Sequence, residues 1–259
     1  YENAARVLTG NDDFAMPYWN WTEQRTLPQA FADKTYKGKP NPLYVPNRIP
    51  IDLPDSLVGP EVMKEIYSET VYEVFGTSRN PKQKDLDPRW VVRGGGVQGT
   101  LESTPHNNIH NDIGVYMPTA GSPRDPIFMM HHGNIDRIWA NWNALGRKNS
   151  DDHLWLDMPF DDNFITPDGS LYSSIVHDLL STKELGYTYD DLQSTDNFKV
   201  DKVRDSSMVA FLSGAKNLKN NVERIVIPNN RDATALKHLN TTVDLQRFDL
   251  ESVLKAKNG

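Results

Sequence analysis

Two histidines four residues apart, His106 and His110, stand in the stretch "STPHNNIHND" at residues 103–112. Residues with this spacing share one face of an α-helix, so the two imidazoles can reach one metal ion. Chance pairs of this kind are also common on solvated helix faces, and the pair alone leaves both interpretations open. The zinc-protease pattern needs a glutamate directly after the first histidine, and Asn107 occupies that position. The motif therefore counts against a metalloprotease.

A third imidazole is available in "DPIFMMHHGNIDRIW" at residues 125–139, which holds His131 and His132. An unpaired imidazole buried in an apolar helix is costly, so both should have partners. We expect His132 to be the third metal ligand and His131 to be a hydrogen-bonded core residue. Asp136, four residues after His132, is expected to orient that helix or accept a hydrogen bond from a ligand ring. Three imidazoles suit copper or zinc, and these residues do not choose between them.

Composition excludes several other functions. The 259 residues are 37% hydrophobic and 24% charged, which is typical of a folded protein, and they include no cysteine, so neither disulfides nor thiolate metal ligands can form. The net charge of −7 predicts no nucleic-acid partner. The apolar runs are too short to cross a membrane, so no membrane partner is expected.

Helices are predicted to carry the histidines. The longest, over residues 126–145, should open with Asp125 as N-cap and Pro126 in its first turn. A short helix is predicted over 101–111, another over 60–76, and the end of a helix before Gly10. Residues 151–190 look irregular, with an amphipathic stretch near 170–182, whereas residues 197–259 carry four strand-like runs separated by polar turns. The glycine-rich "RGGGVQG" at 93–99 lacks the ending of a phosphate-binding loop.

The motifs around the histidines resemble those of the tyrosinase, catechol oxidase and mollusc-type haemocyanin superfamily. "GTLESTPHNNIH" and "DPIFMMHHGNIDRIWANW" resemble its second-copper motifs, and the pattern from Asp125 through Phe128 and His132 to Asp136 fits. "YENAARVL" and "FAMPYWNW" resemble the end of the first-copper helix, with Glu2 at the family's glutamate position, and the segment after it. The resemblance spans residues 1–145 and extends weakly through 170–192, where plant-type polyphenol oxidases have a linker domain with a similar "KxLGYxY" stretch.

The resemblance implies a mainly α protein. Its core would be the four-helix bundle of a type 3 copper centre, with the first-copper helix truncated and a small β-rich C-terminal segment. We expect a copper-binding core over residues 1–150, a linker or small domain packed on it over 151–195, and the β-rich segment over 196–259. The complete site would hold two copper ions, of which this chain holds the second through His106, His110 and His132.

The resemblance also implies roles for the neighbouring residues. Glu102 matches a plant-type glutamate that holds a water near the site, and Asn107 matches a position thought to help that glutamate deprotonate monophenols. Phe128 would pack against the copper ligands. Met117, or else Thr119, would lie near the gate of the site.

The expected function is oxidation of o-diphenols to o-quinones with O2, with hydroxylation of monophenols as an extension. The partners would be a phenolic substrate, O2, and a separate N-terminal segment or chain with the first-copper histidines, since the family places all three before Glu2. His153, His177 and His238 are isolated and lie in the wrong order to replace them. Two alternatives stay open: reversible O2 binding as in a haemocyanin, and an inactive half-site.

Overall fold

The computed structural model of the protein describes residues 1–77 and 98–192. Within these ranges the chain is mainly helical, as predicted. Its helices are α1 (Glu2–Thr9), α2 (Gln29–Ala32), α3 (Asp55–Val58), α4 (Pro60–Ser68), α5 (Tyr72–Phe75), α6 (Asn107–Ile113), α7 (Ile127–Ala144) and α8 (His153–Leu156). Its strands are β1 (Thr35–Tyr36), β2 (Lys39–Pro40), β3 (Pro159–Ile165) and β4 (Leu171–Ile175).

The core is built around α7, whose Ile127, Ile138 and Trp142 are completely buried. Aromatic side chains from the loops pack against this helix, and the Trp19 backbone N–H donates to the Met130 carbonyl at 3.0 Å. The mostly irregular segment before α3 is thereby fixed to the helix that carries His131 and His132. No helix among the described residues is long and apolar enough to span a bilayer.

The helix predicted over residues 60–76 is divided into α4 and α5. Glu69 and Val71, which lie between them, both have extended backbone angles. The Glu69 carbonyl accepts hydrogen bonds of 2.7 Å from Trp142 Nε1 and Arg147 Nε. Side chains at and just beyond the end of α7 thus donate to a carbonyl group that would accept a backbone hydrogen bond in a continuous helix.

The stretch near residues 170–182, expected to be amphipathic within an irregular region, begins with the strand β4 and continues in a short 3-10 helix (Val176–Leu179). β4 pairs antiparallel with β3, with Phe160 opposite Ser174 and Phe164 opposite Tyr172. The hairpin adjoins a small apolar cluster of Trp155, Met158 and Val176. The last α-helix of the described residues, α8, ends at Leu156, before the hairpin. The predicted β-rich segment over 196–259 and most of "RGGGVQG" lie outside the described residues.

Candidate metal centre

α7 is fixed at its start by a buried carboxylate. Asp125 is fully buried, and its Oδ1 accepts a hydrogen bond from the Ile127 backbone N–H at 3.0 Å, as a residue capping this helix should. Arg48, whose side chain is almost fully buried, donates from Nε to Asp125 Oδ2 at 2.9 Å. This anchor sets the position of the helix turn that presents His132.

The helix predicted over residues 101–111 is interrupted. The chain is kinked within Glu102–His106, where Thr104 is extended (φ −150°, ψ 113°), and α6 starts at Asn107. Pro105 explains the break, because it lacks a backbone N–H and restricts the residue before it. His106 still has helical backbone angles (φ −50°, ψ −62°), so its side chain and that of His110 lie on the same face of the helix.

The three histidines predicted as ligands lie together. His132 Nε2 is 3.4 Å from His106 Nε2 and 3.1 Å from His110 Nε2. Two imidazoles bound tetrahedrally to one ion at about 2.0–2.1 Å place their nitrogens about 3.4 Å apart. The observed separations fit such an ion with only small movements of the rings. Within residues 1–77 and 98–192, this is the one group of histidines and carboxylates that could hold a metal, and it also includes His131.

Hydrogen bonds at Nδ1, the nitrogen that does not face His132, orient the rings of His106 and His110. His106 Nδ1 lies 3.0 Å from Asn107 Oδ1, and His110 Nδ1 lies 2.7 Å from the Met117 carbonyl. Both partners are acceptors, so each Nδ1 carries the proton and each Nε2 keeps a free lone pair. Such partners fix the tautomer and orientation that a metal ligand needs.

Burial keeps the imidazoles neutral. It lowers the pKa of His106 and His110, and the hydrogen bonds to Asn107 and Met117 only partly oppose this. Burial, followed by the charges of His106 and His110, lowers the pKa of His132 to about 3. Neutral imidazole is the form that binds metal ions, so the group is ready for a cation at neutral pH.

The prediction that His131 is a hydrogen-bonded core residue is wrong in one respect. Its ring is fully buried, yet neither nitrogen makes a hydrogen bond of ordinary geometry with the described residues. The ring stacks on His106, with centroids 5.3 Å apart and planes inclined by 18°, and meets His110 edge-on at 4.9 Å. His131 thus contacts the ligand rings through its faces and edges.

Of the two roles expected for Asp136, the hydrogen bonds favour the one that does not involve a ligand ring. Its Oδ2 accepts hydrogen bonds from the hydroxyl groups of Tyr187, at 2.8 Å, and Tyr189. No imidazole donates to it among the described residues. Burial and the Asp136 carboxylate both raise the pKa of the two phenols. Asp136 therefore attaches the segment around residues 187–189 to α7.

The remaining predicted residues surround the cluster. The Phe128 ring stacks on His132 with centroids 4.0 Å apart. Glu102 Oε2 lies 3.4 Å from His106 Nδ1, and burial raises the pKa of this carboxyl group. Met117, predicted near a gate, is instead completely buried in the core, and its carbonyl is the part that meets the site.

Sequence reasoning missed Arg48, Tyr187 and Tyr189. Arg48 lies 77 residues before its partner Asp125, and nothing in its neighbourhood marks it. The two tyrosines belong to the "KxLGYxY" stretch, which the family resemblance includes. The stretch alone does not predict which residue their hydroxyl groups bind.

A large cavity of about 1680 Å³ opens beside the cluster. His132 and Gly133 line it from α7, Met16 and Tyr18 from the preceding loop, and Phe164 from the hairpin. Of the clustered histidines, His132 is the one that lines this cavity.

Comparison with known proteins places these features in a family context. Residues 52–145 match the family described as the common central domain of tyrosinase. A chloroplastic polyphenol oxidase of Malus domestica is 32% identical over 221 residues, which cover 74% of this chain and 35% of that protein. Tyrosinase HcTyr1 of Hahella sp. (strain CCB-MM4) is 32% identical over 203 residues, covering 72% of this chain and 42% of that protein.

The solved structure of latent apple tyrosinase superposes with a TM-score of 0.58 at 28% identity. The match covers 74% of this chain and 46% of that one. The chain spans about a third of the length of the curated polyphenol oxidases that it matches.

Proposed function

Because the chain belongs to the tyrosinase and catechol oxidase family, we propose that it supplies the second-copper half of a copper-dependent phenol oxidase. The complete enzyme would oxidise o-diphenols to o-quinones with O2. The first-copper histidines would come from a separate segment or chain. The observation that carries the proposal is the convergence of three Nε2 atoms, with His132 3.1 Å and 3.4 Å from the other two.

His106, His110 and His132 would hold the ion. Bound copper supplies the one-electron redox chemistry toward phenols and O2 that amino-acid side chains lack. Asn107 and the Met117 carbonyl keep the Nδ1 protons of His106 and His110 in place. Phe128 covers one face of His132 and restricts the rotation of that ring.

The phenol would approach through the large cavity. Among its lining residues, His132 is the one that belongs to the predicted ligands, and Met129 and Gly133 lie beside it on α7. Apolar and aromatic walls favour a planar ring, and the convergent imidazoles provide the polar end of the site.

Hydroxylation of monophenols is the finer part of the proposal. Asn107 Oδ1 and Glu102 Oε2 approach the same nitrogen of His106, at 3.0 Å and 3.4 Å. A water held by these two acceptors, on the Nδ1 side of His106, would take the proton of a phenol that reaches this side of the ring. A tyrosine-hydroxylation assay tests this part: accumulation of o-diphenol that stops in Glu102→Gln supports it, and absence of product at every enzyme concentration overturns it.

The experiment for the main proposal combines copper analysis, the native mass and catechol turnover of the protein in its natural form. About two coppers in a species heavier than 29.4 kDa, with steady quinone formation, is the expected result. Reversible O2 binding without turnover would favour a haemocyanin-like carrier. One copper or none on a 29.4 kDa species without turnover would identify an inactive half-site.

A further inference from the structure

A second, smaller cavity of about 270 Å³ lies on a different side of α7 from the large one. Ile135 and Trp139 line it from α7, whereas Met129, His132 and Asp136 line the large cavity. At about 100° per residue, the two sets of positions are about a quarter turn apart around the helix. No described residue borders both cavities.

The walls of the small cavity are mainly aromatic. Tyr72 is central, with its ring centroid 4.6 Å from that of Trp155 and 6.0 Å from that of Trp139. These rings are inclined to Tyr72 by 43° and 51° and do not lie flat on it. Phe75 and Leu101 complete the apolar lining. Tilted contacts of this kind are favourable for a further planar ring.

Apart from the tryptophan indoles, Tyr72, Thr77 and Glu102 are the described lining residues with polar side-chain groups. The Tyr72 hydroxyl makes no hydrogen bond with a described residue, and burial, together with the nearby carboxylates of Glu73 and Glu102, raises its pKa. Among the described residues of the lining, Glu102 is the one that carries a charge, and its Oε2 lies 3.4 Å from His106 Nδ1. A concave, mainly apolar space with a few polar groups is the usual form of a small-molecule site.

We propose that this cavity is a second phenol-binding site, in which the ring of a monocyclic phenol lies among Tyr72, Trp139 and Trp155 and its hydroxyl donates a hydrogen bond to Glu102. The choice of a phenol over other planar molecules rests on the proposed function. A carboxylate readily accepts a hydrogen bond from a phenolic hydroxyl.

The position of Glu102 makes this site different from the reaction site. Glu102 lies at Nδ1 of His106, whereas the atom facing the other ligands is Nε2. The imidazole ring therefore stands between a phenol bound to Glu102 and the metal position. Such a phenol acts on the centre indirectly, because it competes with His106 Nδ1 for the Glu102 carboxylate.

The test uses the metal-free protein and 4-fluorophenol, followed by 19F NMR, so that it involves no turnover. We expect saturable binding with a dissociation constant in about the millimolar range. Ile135→Phe, which fills the small cavity, should weaken binding about tenfold or more, and Glu102→Gln should weaken it about tenfold through loss of a hydrogen bond to a charged group. 4-Fluoroanisole, which has no hydroxyl to donate, should bind the unmodified protein more weakly.

The matched control is Met129→Phe, an equal substitution on α7 that faces the large cavity. Binding reduced by Met129→Phe but not by Ile135→Phe would place the phenol in the large cavity and overturn the proposal. Equal binding of 4-fluoroanisole, or no saturation, would also overturn it, and neither depends on the folding of a variant. If Ile135→Phe weakens phenol binding but the protein never oxidises catechol, the proposed function is refuted and the second binding site is still supported.

Discussion

Arg48 and Asp125 form a two-pronged ion pair inside the protein, with 2.9 Å between Arg48 Nε and Asp125 Oδ2 and 2.5 Å between Arg48 Nη2 and Asp125 Oδ1. Their side chains are 4% and 0% exposed. Arg48 also donates to the carbonyl groups of Phe31 and Leu43, so one guanidinium joins the long N-terminal loop to the start of α7.

Asp125→Asn should therefore destabilise the protein strongly. It leaves the buried guanidinium without its counter-charge, and breaking one side of a buried pair costs about 3–5 kcal/mol. The free energy of unfolding in urea measures this loss. The control is Asp55→Asn, because Asp55 also pairs with an arginine but is 82% exposed, and that change should cost about 1 kcal/mol or less. Equal losses in the two variants would contradict a structural role for the buried pair.

His131 and His132 should respond oppositely to the same substitution. The ring of His131 stacks on that of His106 with nearly parallel planes. A metal ion bound in the plane of the His106 ring would therefore lie outside the plane of the His131 ring, where the lone pairs of the His131 nitrogens cannot reach it. His131→Phe keeps the stacking and removes two unsatisfied nitrogens, so zinc affinity and the melting temperature should be preserved or raised. His132→Phe should abolish tight zinc binding in the same calorimetric titration. Loss of binding in His131→Phe would make His131 a ligand.

Asn107→Ala should weaken metal binding without removing a ligand. Asn107 Oδ1 accepts the Nδ1 proton of His106, and losing such a partner typically lowers metal affinity by about 10–100-fold. Asn111→Ala provides the comparison, because Asn111 is exposed on the same helix. Competition with a chromogenic chelator gives both affinities. An affinity unchanged in Asn107→Ala would show that His106 is oriented by other contacts.

Asp136→Asn should loosen the segment around residues 187–191 and leave the metal site intact. Asp136 accepts from Tyr187 and Tyr189, and Arg137 donates to Asp191 at 3.1 Å from the next position of α7. Hydrogen exchange should therefore quicken at residues 185–191, with zinc affinity unaltered. Tyr187→Phe combined with Tyr189→Phe should reproduce the effect. A fall in zinc affinity would instead support the sequence-based prediction that Asp136 orients a ligand ring.

The parts of the site that sequence could predict are those set by local spacing. The pair His106 and His110 depends on one helix turn, and the cap at Asp125 depends on the residue types that begin a helix. Both survive in the structure, although Pro105 breaks the predicted helix just before His106.

The parts that sequence could not predict depend on contacts between distant residues. Spacing places Asp136 on the face of His132, but the tyrosine hydroxyl groups that reach it come from residues more than 50 positions away. The resemblance places Met117 or Thr119 near the gate, whereas Met117 contacts His110 through its backbone carbonyl. The hairpin of β3 and β4 was missed because an irregularity between Phe160 and Phe164 interrupts the alternation of its side chains.

The three candidate ligands lie close together along the chain, since His132 follows His106 by 26 residues and His110 by 22. An ion held by all three closes a short covalent loop, as a disulfide does. In the chain-entropy treatment a cross-link of this length restricts the unfolded chain by about 3–4 kcal/mol at 25 °C. This protein contains no cysteine. Its histidine cluster can therefore act as a removable cross-link, formed when the metal is acquired and opened by a chelator.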